Sequence, residues 1–396
     1  MTLIFFDDQA RETLLPLTFT KPVCEIRVGI LTIGEKWQKY LNTEEKGCKT
    51  ADYLQQKYPF RSSSDNLFIN GSICPDEELL EAVDKLKDGQ VLVKDAVLIA
   101  ARVHEAGLEH FDVHHFAGHE TVSYGNDFTR IVYPEHIFGF NPREIRKDFA
   151  LLTKGRTSAP ISSTNTILGD QIFAEEGFEA ECSVFNATFG PMYFGKNSQV
   201  WENSAIRGSF ALCDNSQVKM GARIYSGTTI GPYCRVGGEI NNAVLQAYSS
   251  KGHDGYLGNS VLGEWCNIGA DSNNSNLKNT YAEVRLWDYQ NENFRKTGMQ
   301  NCGLIMADHA KCAINTMFNT GTVVGVSANV FGAGFPRHFV PDFSWGGAQG
   351  FSVYSLNKMF ETAEKVFERR DKVFDETEKA IITKVFELTE KYRRFY

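Results

Sequence analysis

Nowhere does this chain run for about eighteen residues without a polar interruption, which excludes a membrane-spanning helix read from hydropathy. An excess of positive charge is also missing. The formal net charge is −8, and such a surface argues against nucleic acid or an anionic membrane as the main partner. Nine cysteines are present, yet no two of them form a CxxC pair, so neither a zinc ribbon nor a thioredoxin-like motif is written here. They read as reduced thiols inside a cytoplasmic protein. The opening segment MTLIFFDDQARE is a short apolar run closed by Asp7 and Asp8, without the basic start of a secretory signal. Glycine and proline vanish altogether after Leu356, leaving a stretch that only helix interrupts.

What the chain does contain is a rhythm of six. Phe194, Val200, Ile206, Leu212, Val218, Ile224, Ile230 and Val236 follow one another at that fixed spacing. Six fits neither an amphipathic helix nor an alternating strand. It fits a left-handed parallel β-helix of three-sided coils, in which each hexad supplies a short strand and a corner and its apolar residue points inward. Small or turn-forming residues fall at the corners: Gly195, Asn203, Gly208, Asn215, Gly221, Gly227, Gly231 and Gly237. The pattern starts near residue 160 with Ile172, Phe178 and Val184. It resumes after a slip as Val244, Ser250, Tyr256, Leu262 and Ile268, and again as Met306, Cys312, Phe318, Val324 and Val330.

Three regions result. Residues 1–155 alternate strand-like and helix-like segments, the mark of an α/β domain with an incomplete, doubly wound parallel sheet. The expected elements are strands at Thr2–Phe6, Leu67–Asn70 and twice within Val91–Ala101, with helices at Val28–Tyr40 and Pro75–Lys87. Residues 160–350 carry the hexads, interrupted by an Asn-rich insertion over 271–303 that is a candidate wall for a site on a neighbouring subunit. Residues 352–396 form a helix or helical hairpin, either capping the β-helix or pairing as a trimeric coiled coil. A cluster of His110, His114, His115 and His119 reads as a solvated loop rather than a metal site, because the stretch contains Gly118 and follows a strand-like run, which argues against a stable helix.

The segments SSKGHDGYLGN (Ser249–Asn259) and EWCNIGADSNNSN (Glu264–Asn276) resemble the acetyltransferase half of the bifunctional N-acetylglucosamine-1-phosphate uridylyltransferases. That resemblance implies His253 as general base and Glu239 as the carboxylate that orients it. It implies Tyr256, Asn267 and Asn276 as sugar-site residues and Ala270 as a backbone contact to the acyl donor, acetyl-CoA. The chemistry agrees, since attack of an amine on a thioester needs a base working near neutral pH and no covalent cysteine. The family's phosphate-binding lysine falls on Asn241 and the tyrosine of its Asn-Tyr pair on Leu277. Lys251 and Arg285 are the candidate replacements for the lost cation.

The segment RETLLPLTFTKPVCEIRVGILTIGEKW (Arg11–Trp37) is similar to the start of sugar-phosphate nucleotidyltransferases, and closer to a variant bacterial and archaeal branch of the same bifunctional family. Arg11, Lys21 and Arg27 are the implied nucleotide- and phosphate-binding residues. Asp8-Gln9-Ala10 replaces the phosphate-cradling glycine loop, and Asn70-Gly71 stands where that family places a magnesium-binding aspartate. A neutral Asn is a weak magnesium ligand. Residues 1–155 are therefore either an active domain using magnesium or one retained for packing or ligand sensing.

The leading expectation is acetyl-CoA-dependent N-acetylation of an amino sugar phosphate, glucosamine-1-phosphate foremost. Nucleotidyl transfer from a nucleoside triphosphate, giving a product such as UDP-N-acetylglucosamine, is the coupled activity, and a homotrimer is the implied assembly. The alternatives are nucleotidyl transfer alone or a non-catalytic sugar-nucleotide-binding scaffold.

Overall fold

In the computed structural model, which describes residues 1–395, apolar strands and capped helices build a first unit from 1–14, 20–26 and 31–133. Its sheet comprises β1 (Thr2–Phe6), β2 (Lys46–Lys49), β3 (Asp65–Asn70), β4 (Gln90–Lys94), β5 (Val97–His104) and β6 (Glu120–Ser123). Their order is β2-β1-β3-β5-β4-β6. The expected parallel pairing holds for β2, β1 and β3. Beyond them the sheet is mixed, because β4 and β5 are joined through Asp95 and Ala96, both at positive φ. So short a link closes an antiparallel hairpin and cannot make a parallel crossover. Helix α1 (Ile33–Leu41) starts at a capping box, Thr32 accepting from the Glu35 amide while Glu35 accepts in return, so residues 28–32 remain outside it. Helix α2 (Glu77–Asp84) is capped by Asp76. Among the described residues no helix is long and apolar enough to cross a membrane.

The second unit takes residues 15–19, 27–30 and 134–395. It opens with helix α3 (Pro134–Thr153), followed by the expected left-handed parallel β-helix. One inward column runs Ala174, Phe194, Leu212, Ile230, Leu245, Leu262, Met306, Val324 and Val340, each residue in register with the next. All of them are buried. Phe194 anchors the column's start, stacked on Phe178 at 4.3 Å and packed against Phe185 at 5.1 Å.

Four hexad assignments shift by one residue, the inward positions expected of Val184, Val244, Ser250 and Tyr256 being taken by Phe185, Leu245, Lys251 and Leu257. Phe185, fully buried, takes the inward position expected of Val184, which is exposed. After Val236 the coil is shortened. The inward residues are therefore Ile240, Leu245 and Leu257, while Val244 and Tyr256 belong to the opposite face of their strands. The corners also divide by mechanism. Asn203, Asn215, Gly221 and Gly227 adopt positive φ, whereas Gly231 is small because a Cβ there would overlap the carbonyl oxygen of Gln246 on the next coil.

The 271–303 insertion folds into a hairpin, Arg285–Asp288 against Asn293–Lys296, and its Arg295 grips Glu135 of α3 through two hydrogen bonds of 2.5 and 2.6 Å. The C-terminal stretch is a pair of helices, α4 (Leu356–Glu368) and α5 (Glu376–Leu388), parted where Asp371 turns to positive φ and Asp375 caps α5. Phe367 of α4 stacks on Trp265 at 3.9 Å, so α4 lies along the flank of the solenoid.

Candidate active site

In the first unit the chain passes from β1 to β2 on one side and then returns to β3 on the other. An open α/β sheet binds ligands at such a reversal, outside the carboxyl ends of the strands. Asp7 and Asp8 leave β1 there, and Asn70-Gly71-Ser72 leave β3. Asp8 Oδ2 accepts from Asn70 Nδ2 at 2.8 Å and from the Arg130 guanidinium at 2.5 Å, and its Oδ1 accepts from the Ala10 amide at 2.9 Å. Asn70 Oδ1 accepts from the Ser72 amide and hydroxyl, and Arg130 Nε donates to the same hydroxyl at 3.2 Å. Gly71 fits because its amide donates to the Phe6 carbonyl at 2.9 Å, and a Cβ would crowd the Cys24 amide.

Behind this layer, Asp7 accepts from the Val23 amide at 2.8 Å, from Thr50 at 2.5 Å and from Arg11 at 3.2 Å. Burial raises the Asp7 carboxyl above the ordinary aspartate range, against the pull of Arg11. Arg11 donates as well to the Lys21 carbonyl, Thr50 and Tyr53, and Lys21 is buried beside it. Burial pushes the Tyr53 phenol up, so it stays protonated. Arg11 and Lys21 are thus brought together in one unit. Arg27 belongs to the second unit. There its amide donates to Gln246 Oε1 at 2.6 Å and its guanidinium to the carbonyls of Gln246 and Ile30.

The donor set does not suit a carboxylate-bound magnesium. Every oxygen of Asp7 and Asp8 already accepts from an amide, a hydroxyl or a guanidinium, and Asn70 presents its amide oxygen to Ser72. Among the described residues no cluster of three His, Cys, Asp or Glu side chains is placed to hold a metal, the His110–His119 stretch included. Positive charge at the crevice comes instead from Arg130, one quarter of whose side chain is exposed.

On the solenoid, His253 stands exposed at a corner whose backbone is fixed from within. Lys251 is in register with Val236, an inward residue, and its ammonium donates to the carbonyls of Gly237 at 3.0 Å and His253 at 2.7 Å. Its charge is therefore spent inside the coil, and burial lowers its pKa to about 8. Glu239 is in register with Tyr256 and pairs with Arg223 at 3.7 Å, and no hydrogen bond joins it to His253. The Tyr256 amide donates to Asn273, and its ring lies over Gly258, where a Cβ would meet the phenol. Asn276 donates to Asn259 at 2.7 Å, the Ala270 carbonyl accepts from the Asn315 amide, and Asn267 is exposed on its strand.

Sequence reasoning missed Asp8, Ser72 and Arg130 as site residues. The Asp-Asp pair closing an apolar first strand was a usable signal. Arg130, 122 positions from Asp8, offered none. A search of curated proteins gives no match. Residues 3–157 match the family model described as sugar nucleotidyl transferase, so the part of the chain that carries this crevice is similar to that family.

Proposed function

We propose that this chain is a sugar-nucleotide transferase with two sites. The crevice at β1 and β3 binds a nucleoside triphosphate and a sugar phosphate for nucleotidyl transfer. The observation that carries this reading is the Asp8–Asn70–Ser72–Arg130 network at the topological reversal. In the transfer, a phosphate oxygen of the sugar bonds to the α-phosphorus and pyrophosphate leaves. Arg130 offsets charge at the phosphate, while Asp8 and Ser72 hold that guanidinium in place.

On the solenoid, acetyl-CoA donates its acetyl group to the amine of an amino sugar phosphate, with glucosamine-1-phosphate the preferred candidate. His253 takes the amine proton, nitrogen bonds to the thioester carbonyl carbon, and the coenzyme A thiolate leaves. Lys251 positions His253 by fixing its carbonyl, and Glu239 with Tyr256 lines the same turn of coil. Asn267, Asn276 and Ala270 complete the proposed sugar and donor contacts, in a homotrimer where each acyl site is shared by two subunits. A second reading, sugar-nucleotide binding without turnover, is favoured by the complete engagement of Asp7 and Asp8.

One crossed assay separates these readings. Thiol release from acetyl-CoA with glucosamine-1-phosphate and pyrophosphate release from UTP with N-acetylglucosamine-1-phosphate are measured on the wild type, His253→Ala and Arg130→Ala. His253→Ala should lose thiol release by about 100-fold or more and keep pyrophosphate release. Arg130→Ala should do the reverse. Ligand binding with neither product formed in the wild type establishes the scaffold reading.

A further inference from the structure

Along the solenoid flank beneath α4, the outward-facing residues Arg235, Ser250, Asn267 and Lys311 are in register on successive strands. Strands lie about 4.8 Å apart, so the backbones at Arg235 and Lys311 are about 14 Å apart, with Ser250 and Asn267 on the two strands between them. The end of α4 adds Arg369 and Arg370 above this row. Together they line a cavity of about 390 Å³ whose lining contains no carboxylate. Neither Arg235, Arg369 nor Arg370 forms an ion pair with any described residue. Lys311 Nζ donates to the His309 carbonyl at 2.8 Å. One wall is closed by Trp265, held between Tyr248 at 4.2 Å and Phe367 at 3.9 Å. Both faces of that ring are thus covered, and it serves as a rigid side of the cavity.

Four cations around one cavity repel each other, and among the described residues no carboxylate lines it. Burial lowers Lys311 to about 8, and burial together with Arg235 lowers Arg370. An anion that accepts from several of them at once would relieve that repulsion. A diphosphate carries two phosphate groups, so it can accept from more of these four cations at once than a single phosphate can. Guanidinium forks flanking neutral Ser and Asn donors are the side chains that recognise phosphate oxygens.

We infer that the cavity formed by Arg235, Ser250, Asn267, Lys311, Arg369 and Arg370 is a binding site for a diphosphate-bearing small molecule. The site belongs wholly to the second unit and does not rest on the nucleotidyl-transfer reading of the β1–β3 crevice. Such a ligand clamps the end of α4 against the solenoid wall.

The test uses full-length protein carrying Arg130→Ala, which disables the crevice of the first unit. Inorganic pyrophosphate is titrated by calorimetry, and hydrogen exchange is followed over residues 365–372. Binding with slowed exchange in that segment is expected. Adding Arg235→Ala and Arg370→Ala together should weaken it by about 100-fold, since each charge-assisted contact removed costs about tenfold. Arg370→Lys should retain part of the affinity, and circular dichroism reports whether each variant is folded. Competition by coenzyme A or by UTP then tells whether an acyl carrier or a nucleotide supplies the diphosphate. Failure of pyrophosphate to bind the Arg130→Ala protein, or unchanged affinity in the folded variant lacking both arginines, overturns the inference.

Discussion

Replacing Lys251 by methionine tests how a cation survives inside the solenoid. The side chain occupies a column otherwise filled by Val218, Val236 and Ile268, and it is 1% exposed. Burial lowers its pKa from an unfolded value near 10.4 to about 8. Across that window the unfolded chain holds the proton more tightly than the folded one. Stability therefore rises with pH from 8 to about 10.5 and is lost again as pH falls through 8. The difference is worth about 3 kcal/mol. Methionine removes this cost but orphans the carbonyls of Gly237 and His253, at about 1–3 kcal/mol each. At pH 7 the two effects are of similar size, so the net change in stability decides nothing; the pH slope does. Lys311, also lowered to about 8 by burial, contributes a second such slope. Urea unfolding of the solenoid at pH 7.5, 9 and 10.5 should show about half the wild-type slope in Lys251→Met and in Lys311→Met, and almost none in the double variant. A full slope in Lys251→Met would refute the argument that the ammonium is charged and buried in the coil.

The remaining predictions concern the core of the second unit. Burial raises the Asp342 carboxyl to about 6, although it accepts from the Val326 amide at 2.6 Å and the Tyr289 hydroxyl at 2.9 Å. The folded state then holds the proton more tightly, so stability falls as pH rises from about 4 to 6. Asp342→Asn should flatten that portion of the curve in thermal melts, and an unaltered curve rules out Asp342 as its source. Phe194→Ala opens a void among Phe178, Phe185 and Phe210 and should cost about 3–5 kcal/mol by urea titration. Gly231→Ala forces a methyl into the Gln246 carbonyl and should cost at least about 3 kcal/mol, whereas Gly221→Ala, with open space at its Cβ and only its positive φ to oppose it, should cost about 1 kcal/mol.

The hexads of residues 194–236 were legible because each coil there has the same length, so apolar period and geometry coincide. Past Val236 the coil shortens, and a period-six count chose Val244 and Tyr256, where the parallel register selects Leu245 and Leu257. Since neighbouring strand residues face opposite sides, an error of one residue reverses the assignment. Lys251 was read as a phosphate-binding cation because lysine is rarely buried without a partner. Only the two carbonyls that receive its ammonium explain the position. In the first unit four of the six strands were visible, those at Lys46–Lys49 and Glu120–Ser123 were not, and the antiparallel half was missed because pairing direction depends on the brief link at Asp95-Ala96. Arg11 and Lys21 were found through their local segment. Arg130 reaches Asp8 only through the completed sheet, and Arg27 carries the same local signal as Arg11 yet is captured by Gln246.

That capture has a consequence for synthesis and inheritance. Gln246 is made 219 residues after Arg27, and the amides of Gly29 and Ile30 find their acceptors only in Asn141 and Asp148. The Thr229 hydroxyl then closes onto the Gly29 carbonyl at 2.9 Å. A ribosome therefore releases the opening third of this chain with a stitch still open, and the solenoid strand that closes it emerges only later. Gene fission between the two halves would strand residues 27–30 with the wrong fragment.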